Sequence, residues 1–211
     1  MPLIDVNDLR AIASSILIHA GVPEPLADLQ ADLLLEAELR GVPSHGLLRL
    51  RRIVERIANG CANPAATGHH VWRRDAFLEV DGEMGLGPVV ADAALQAVCA
   101  KARQTGIAVA AIRNSNHIGM LGFYAERVAA AGQTVLAFST SEALVHPWGG
   151  RKAMLGTNPI AIGVPTNGAP FVMDTATSIV SMGEVHDYAN RGEPLKQGWA
   201  LDAEGNPTTD A

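Results

Sequence analysis

The chain has 211 residues, 48% of them hydrophobic but only 4% aromatic, enough for a core of Ala, Val, Leu and Ile in one large domain or two small ones. A net charge of −6, three lysines and no long basic run exclude a nucleic-acid partner. The two cysteines, Cys61 and Cys99, exclude a disulfide framework or Cys-rich metal centre, and no metal site is expected.

The start, MPLIDVNDLR, lacks a secretory signal, and no apolar run reaches membrane-spanning length. The expectation is a soluble, cytoplasmic protein without a membrane partner. Residues 1–60 read as a helical region. Leu9, Ile12, Ala13, Ile16 and Ala20 mark one amphipathic helix, ended near Gly21 and Pro23. Leu26, Leu29, Leu33 and Leu34 mark a second, closed by Gly41-Val42-Pro43. A third opens at Ser44 as N-cap and ends at Asn59-Gly60.

That third helix would carry His45 in its first turn and Arg49 four residues on, on one face. A helix N-terminus beside an arginine fork suits a carboxylate. A capped surface helix with a solvated arginine is the plainer alternative.

From Cys61 the pattern changes to a sheet region, 61–211. His69 to Arg74 and Phe77 to Val80 read as strands, and adjacent histidines on a strand face opposite ways, a poor metal pair. Gly85-Leu86-Gly87 then precedes an Ala-rich helix to about Gln104. The third glycine of a dinucleotide fingerprint is missing, since Val90 stands there and Pro88 sits in the turn. It is read as a turn and helix start only.

Residues 106–132 carry the densest signal. An uncharged run, Ile107 to Ile112, predicts a strand buried on both faces. A helix with Leu121, Tyr124, Ala125 and Val128 follows, stopped by Gly132. Between them lies Asn114-Ser115-Asn116-His117, where a ligand of an α/β protein would bind and a histidine could act as acid/base. Helix capping with a merely packed His117 is the alternative.

Thr134 to Phe138 predicts another buried strand, ending in Ser139-Thr140-Ser141-Glu142. Gly156-Thr157-Asn158-Pro159 turns into Ile160 to Val164, and Phe171 to Met173 exits into Asp174-Thr175-Ala176-Thr177-Ser178. Three strand exits rich in hydroxyls or amides point to a polar crevice on one edge of a sheet. A weak helix, with Gly183 and Gly192, and a strand-turn near Gly198 to Pro207 complete the chain.

Together, Ser44-His45-Gly46 with Arg49, Asn114-Ser115-Asn116-His117-Ile118-Gly119, Gly156-Thr157-Asn158-Pro159, Asp174-Thr175-Ala176-Thr177-Ser178 and Gly198-Trp199-Ala200-Leu201-Asp202 resemble the type-2 malate/L-lactate dehydrogenase family. This family of NAD(P)-dependent oxidoreductases includes ureidoglycolate and sulfolactate dehydrogenases, diketogulonate reductase and piperideine-2-carboxylate reductases. The resemblance implies an α/β fold in which a helical region accompanies a non-Rossmann cofactor-binding sheet domain, working as a homodimer. It implies hydride transfer between NAD or NADP and a small 2-oxo or 2-hydroxy acid. His117, or in some members His45, would be the catalytic acid/base, with Ser44 and Arg49 beside the substrate carboxylate. The loop of Ser115 and His117, Thr140 and Ser141, and Asp174, Thr175, Ala176, Thr177 and Ser178 would hold the cofactor.

Where the family commonly has lysine after Ser-x-Gly, this chain has Ser181-Met182-Gly183-Glu184. It resembles there the reductases of cyclic imino acids, with Glu184 as proton donor, so a ketimine reductase is the second reading. Family chains run well past the equivalent of Ala211, which leaves a third, a non-catalytic portion that needs another polypeptide.

Overall fold

A computed structural model describes residues 4–211 as two compact units, the first up to Met120 and the second Leu121–Ala211.

In the first unit, α1 (Val6–His19) and α2 (Glu24–Leu39) pack together through Ala13, Leu17, Ala27 and Ala31, all nearly free of solvent. Asp5 caps α1 by accepting from Asn7 N, and Ser14 Oγ donates to Asp28 at 2.6 Å across the pair. α3 (Leu50–Ala58) adds Leu50, Ile53 and Ile57 to the same core. The strands β1 (His69–Arg74), β2 (Phe77–Asp81) and β3 (Val109–Arg113) form a sheet in that order. β1 and β2 are antiparallel, while α4 (Gly87–Thr105) carries the chain from β2 to a parallel β3. Leu78 and Val80 of β2 pack under Val90 and Ala94 of α4.

The unit boundary falls at Met120, not near residue 60, because the helical region shares its core with the sheet region. Leu86 and Val89, at the start of α4, are buried in the cluster built by α1 and α2.

In the second unit, β4 (Val135–Phe138), β5 (Ile160–Val164) and β6 (Phe171–Thr175) make an antiparallel sheet in chain order. α5 (Leu121–Ala130) covers one face of it. Gly163 is required there, since a Cβ would meet the carbonyl of Ala125. The cross-strand pairs put Leu136, Phe138, Ile162 and Phe171 on the opposite face, where Leu136, Phe138 and Phe171 are exposed. α6 (Met182–Arg191) and a hairpin of β7 (Ala200–Leu201) and β8 (Pro207–Thr208) complete the unit.

Several expectations change. The third helix does not start at Ser44. Pro43–His45 and Leu47–Arg49 are two 3₁₀ turns, and the α-helix begins at Leu50. Gly46, extended between the turns, breaks the helical run. Strands β3 and β4 are not buried on both faces: Val109 is 53% and Phe138 64% exposed. Each pairs on one side only, and apolar residues on such a strand need not be inside. β6 runs on to Thr175, so Asp174 and Thr175 lie in the strand, not beyond it. The three polar exits do not share one sheet, because β3 belongs to a different sheet from β4 and β6.

Candidate functional site

The first unit gathers the predicted acid/base and carboxylate-binding side chains. His45 and His117, far apart in sequence, have ring centroids 5.4 Å apart with planes tilted by 38°. His45 sits at the end of the first 3₁₀ turn, where its Nδ1 and the Ser44 hydroxyl share a hydrogen bond of 3.1 Å. The half-buried Arg49 donates from Nε to the Ser44 carbonyl at 2.7 Å, which fixes its stem against the same turn. Glu38 accepts from Leu47 N at 2.7 Å, and a Cβ on Gly46 would collide with that carboxylate. The Ser-His-Gly sequence therefore works as a tight corner clamped by α2, where the spacing had predicted one helical face.

His117 leaves the loop after β3. Its Nδ1 accepts from Gly119 N at 3.1 Å, so in the neutral ring the proton sits on Nε2. Loss of hydration and then the positive charges of Arg49, His45 and Arg52 push its pKa down from 6.5 to about 3. By surface area the residue is nonetheless exposed, and its loss of hydration comes from the groups crowded around the ring. Both causes favour the neutral imidazole, and an anion placed among these cations would oppose them. Ser115, next to this loop, is exposed and donates to the Asn116 carbonyl at a long 3.4 Å. Sequence reasoning missed Arg52 and Arg56 here, which no motif singled out. It also passed over Asn116 as a contact maker, and its position beside His117 was the available signal.

The second unit gathers hydroxyls and amides at one end of its sheet. β4 and β6 both run antiparallel to β5, so their ends meet the turn that starts β5. Thr157 N donates to Ser141 Oγ at 2.8 Å, and Ser141 Oγ and Thr157 Oγ1 share a 3.0 Å hydrogen bond. Ser141 N donates to Asn158 Oδ1 at 3.1 Å, and Thr177 donates to the Thr157 carbonyl from N at 2.8 Å and Oγ1 at 3.0 Å. Thr140 is exposed beside them, and its carbonyl accepts from Ser139 Oγ at 3.4 Å. Thr175 Oγ1 donates to the Ala176 carbonyl at 3.1 Å, while Ser178 Oγ turns to Val180 O at 2.7 Å. Asn158, with φ +33°, is a member of this cluster that its turn-like setting hid.

Asp174 has a structural task. Its Oδ2 accepts from Gly122 N at 2.7 Å, one of the unsatisfied amides in the first turn of α5. Asp174→Ala is expected to cost about 1 kcal/mol in urea denaturation through loss of this cap. Asp174→Asn, which keeps an acceptor oxygen, is expected to cost less.

Glu184 lies in the first turn of α6, where its N–H donates to the N-cap Ser181 Oγ at 3.1 Å and its side chain is exposed. Ser-x-x-Glu here has the sequence of a capping box. Among the described residues, no group of three or more His, Cys, Asp or Glu is placed to hold a metal ion, and no helix is long and apolar enough to cross a membrane.

Comparisons with known proteins agree on one family. Residues 4–211 match the family described as malate/L-lactate dehydrogenase. A malate dehydrogenase of Pyrococcus abyssi is 40% identical over 202 residues, which cover 96% of this chain and 56% of that protein. Delta(1)-pyrroline-2-carboxylate reductase 1 of Burkholderia ambifaria is 32% identical over 209 residues, 99% of this chain and 62% of the relative. Among solved structures, a dehydrogenase from Sinorhizobium meliloti superposes with a TM-score of 0.96 at 53% identity, covering 98% of this chain and 61% of that one. The chain thus spans a little over half the length of the curated relatives it matches. With a family match along nearly its whole length, the chain belongs to the malate/L-lactate dehydrogenase family.

Proposed function

We propose that this chain carries out the chemistry of an NAD(P)-dependent oxidoreductase acting on a small 2-oxo or 2-hydroxy acid, in the cytoplasm and as a homodimer, with a non-Rossmann cofactor-binding sheet. The observation that carries the reading is the 5.4 Å approach of His45 and His117, with Arg49 close enough to depress the His117 pKa. The name of the Pyrococcus relative, malate dehydrogenase, supports the substrate class.

The cofactor, when bound, supplies or accepts the hydride. The three backbone N–H groups of Ser141, Thr157 and Thr177 are paired within the cluster, and it offers ribose oxygens the one hydroxyl donor that the Ser141–Thr157 bond leaves over. Arg49 holds the substrate carboxylate, and Ser44 lies beside it. His117 exchanges a proton with the substrate oxygen through Nε2, the nitrogen left over by its bond to Gly119 N. A carboxylate entering among Arg49, Arg52 and His45 offsets their charge, raises the His117 pKa and readies it as a donor in the reducing direction. His45, in ring contact, is the alternative donor.

The second reading is a cyclic ketimine reductase, favoured by the acidic Glu184 and by the pyrroline-2-carboxylate reductase among the relatives. Equilibrium binding of NADH and NADPH, followed by turnover with pyruvate, oxaloacetate and Δ1-piperideine-2-carboxylate, separates the two. Glu184→Gln is expected to leave 2-oxo acid reduction within about twofold of the parent, as for an exposed side chain away from the chemistry. A ketimine reductase would instead lose about 10²–10⁴-fold in imine reduction with that variant. Nucleotide binding without turnover of any of the three substrates would support a portion that needs further polypeptide.

A further inference from the structure

The glycine turn that failed as a dinucleotide fingerprint has another occupant. Asn116 reaches into it with its whole hydrogen-bonding capacity. Its backbone N donates to Gly85 O at 3.0 Å, and Nδ2 donates to Met84 O at 2.6 Å and Gly85 O at 3.2 Å. Oδ1 accepts from Arg56 Nε at 2.7 Å, so the amide orientation is set by two acceptors on one side and a cationic donor on the other. Arg56 is itself tied down, its Nη2 donating to Cys61 O at 3.2 Å.

Two further bonds lace the same segments, Gly82 N to Arg113 O and Met84 N to Asn114 O, both 2.8 Å. Glu83 and Met84 are held at φ +50° and +60° and Asn114 at +55°, conformations that side chains other than glycine adopt only when their surroundings insist. A Cβ on Gly87 would collide with the carbonyl of His117. The second glycine therefore lets the histidine's own backbone approach, where a fingerprint would admit a phosphate.

We propose that Asn116 is the positioning residue for His117, and that the Gly85-Leu86-Gly87 turn is the seat on which this acid/base loop is latched, with Arg56 as the outer bolt. The proposal rests on the reading of His117 as acid/base but concerns a geometry that can be measured without turnover. Asparagine suits the task because it offers two donors and an acceptor on a short stem. Aspartate would set a carboxylate against two carbonyls, and leucine keeps the shape and the backbone bond but none of the side-chain bonds.

The test uses the full chain, labelled with ¹⁵N at histidine, as parent, Asn116→Leu, Asn116→Asp and Arg56→Lys, each checked for an unchanged far-UV circular dichroism spectrum. In the parent, the His117 ring should show an acceptor-type Nδ1 and a protonated Nε2 near neutral pH. In Asn116→Leu and Asn116→Asp the two nitrogens should average, and the ring's titration midpoint should move up. Arg56→Lys should give a smaller change of the same kind.

Where the chain turns over a 2-oxo acid, both Asn116 variants should lower kcat by about 10–100-fold and change KM by less than about threefold, as for a misplaced catalytic group. An unchanged ring spectrum in Asn116→Leu overturns the proposal, whatever the rates do. A changed spectrum together with a His117→Ala variant that keeps the parent's full turnover upholds the latch and removes the acid/base reading instead.

Discussion

Replacing His117 with alanine is expected to lower kcat for 2-oxo acid reduction by about 10²–10⁴-fold, the usual contribution of a positioned general acid. Substrate affinity should change little, because Arg49 and the corner at Ser44 remain. Stopped-flow hydride transfer with NADH or NADPH, compared with steady-state turnover, is the measurement. A variant that retains full hydride-transfer rate would move the role to His45, the ring neighbour 5.4 Å away.

The same residue has a signature in stability. Its pKa is 6.5 in the ordinary state and about 3 when folded, chiefly through loss of hydration and then through Arg49, His45 and Arg52. Between those values the unfolded chain binds a proton that the folded chain refuses, so stability rises with pH across the window and is lost as pH falls from 6.5 towards 3. His117→Ala should remove that share of the acid sensitivity in urea titrations.

Removing the Arg49 guanidinium should act on recognition. Arg49→Met is expected to reduce kcat/KM for 2-oxo acids by about 30- to 150-fold, the loss of a charge-assisted contact of about 2–3 kcal/mol. Most of that should appear in KM. Arg49→Lys keeps the charge but cannot reproduce both a planar fork and the 2.7 Å bond from Nε to Ser44 O, so it should recover only part of the loss. The Met variant also withdraws a cation from His117, so its pKa should rise. Parallel loss of nicotinamide binding in the Met variant would argue that Arg49 serves the cofactor instead of the acid.

Much of this arrangement was legible from residue order. Periodic apolar residues mark α1 and α2, and the apolar run Ile160 to Val164 marks β5. His45, Arg49 and His117 were identifiable because unusual polar residues stood at element ends, and the first unit does bring them together. Other features depended on contacts that no local pattern carries. Ser44 resembles an N-cap, yet the Glu38 carboxylate from an earlier helix takes Leu47 N and leaves the corner in two 3₁₀ turns. Apolar runs at β3 and β4 looked interior, but burial depends on what covers a strand, not on its composition. Asp174 fitted a ligand-binding exit by type, while its partner, Gly122 N, lies far back in the sequence.

Leu78 and Val80 are sealed under α4 in one compact unit, whereas Tyr124 and Ala161 are sealed in the other. Leu78 and Val80 share the buried neighbours Val90 and Ala94, so truncations of that pair should interact instead of summing. A deleterious variant at either position would then change what the other costs, and a substitution that refills the vacated space should relieve both.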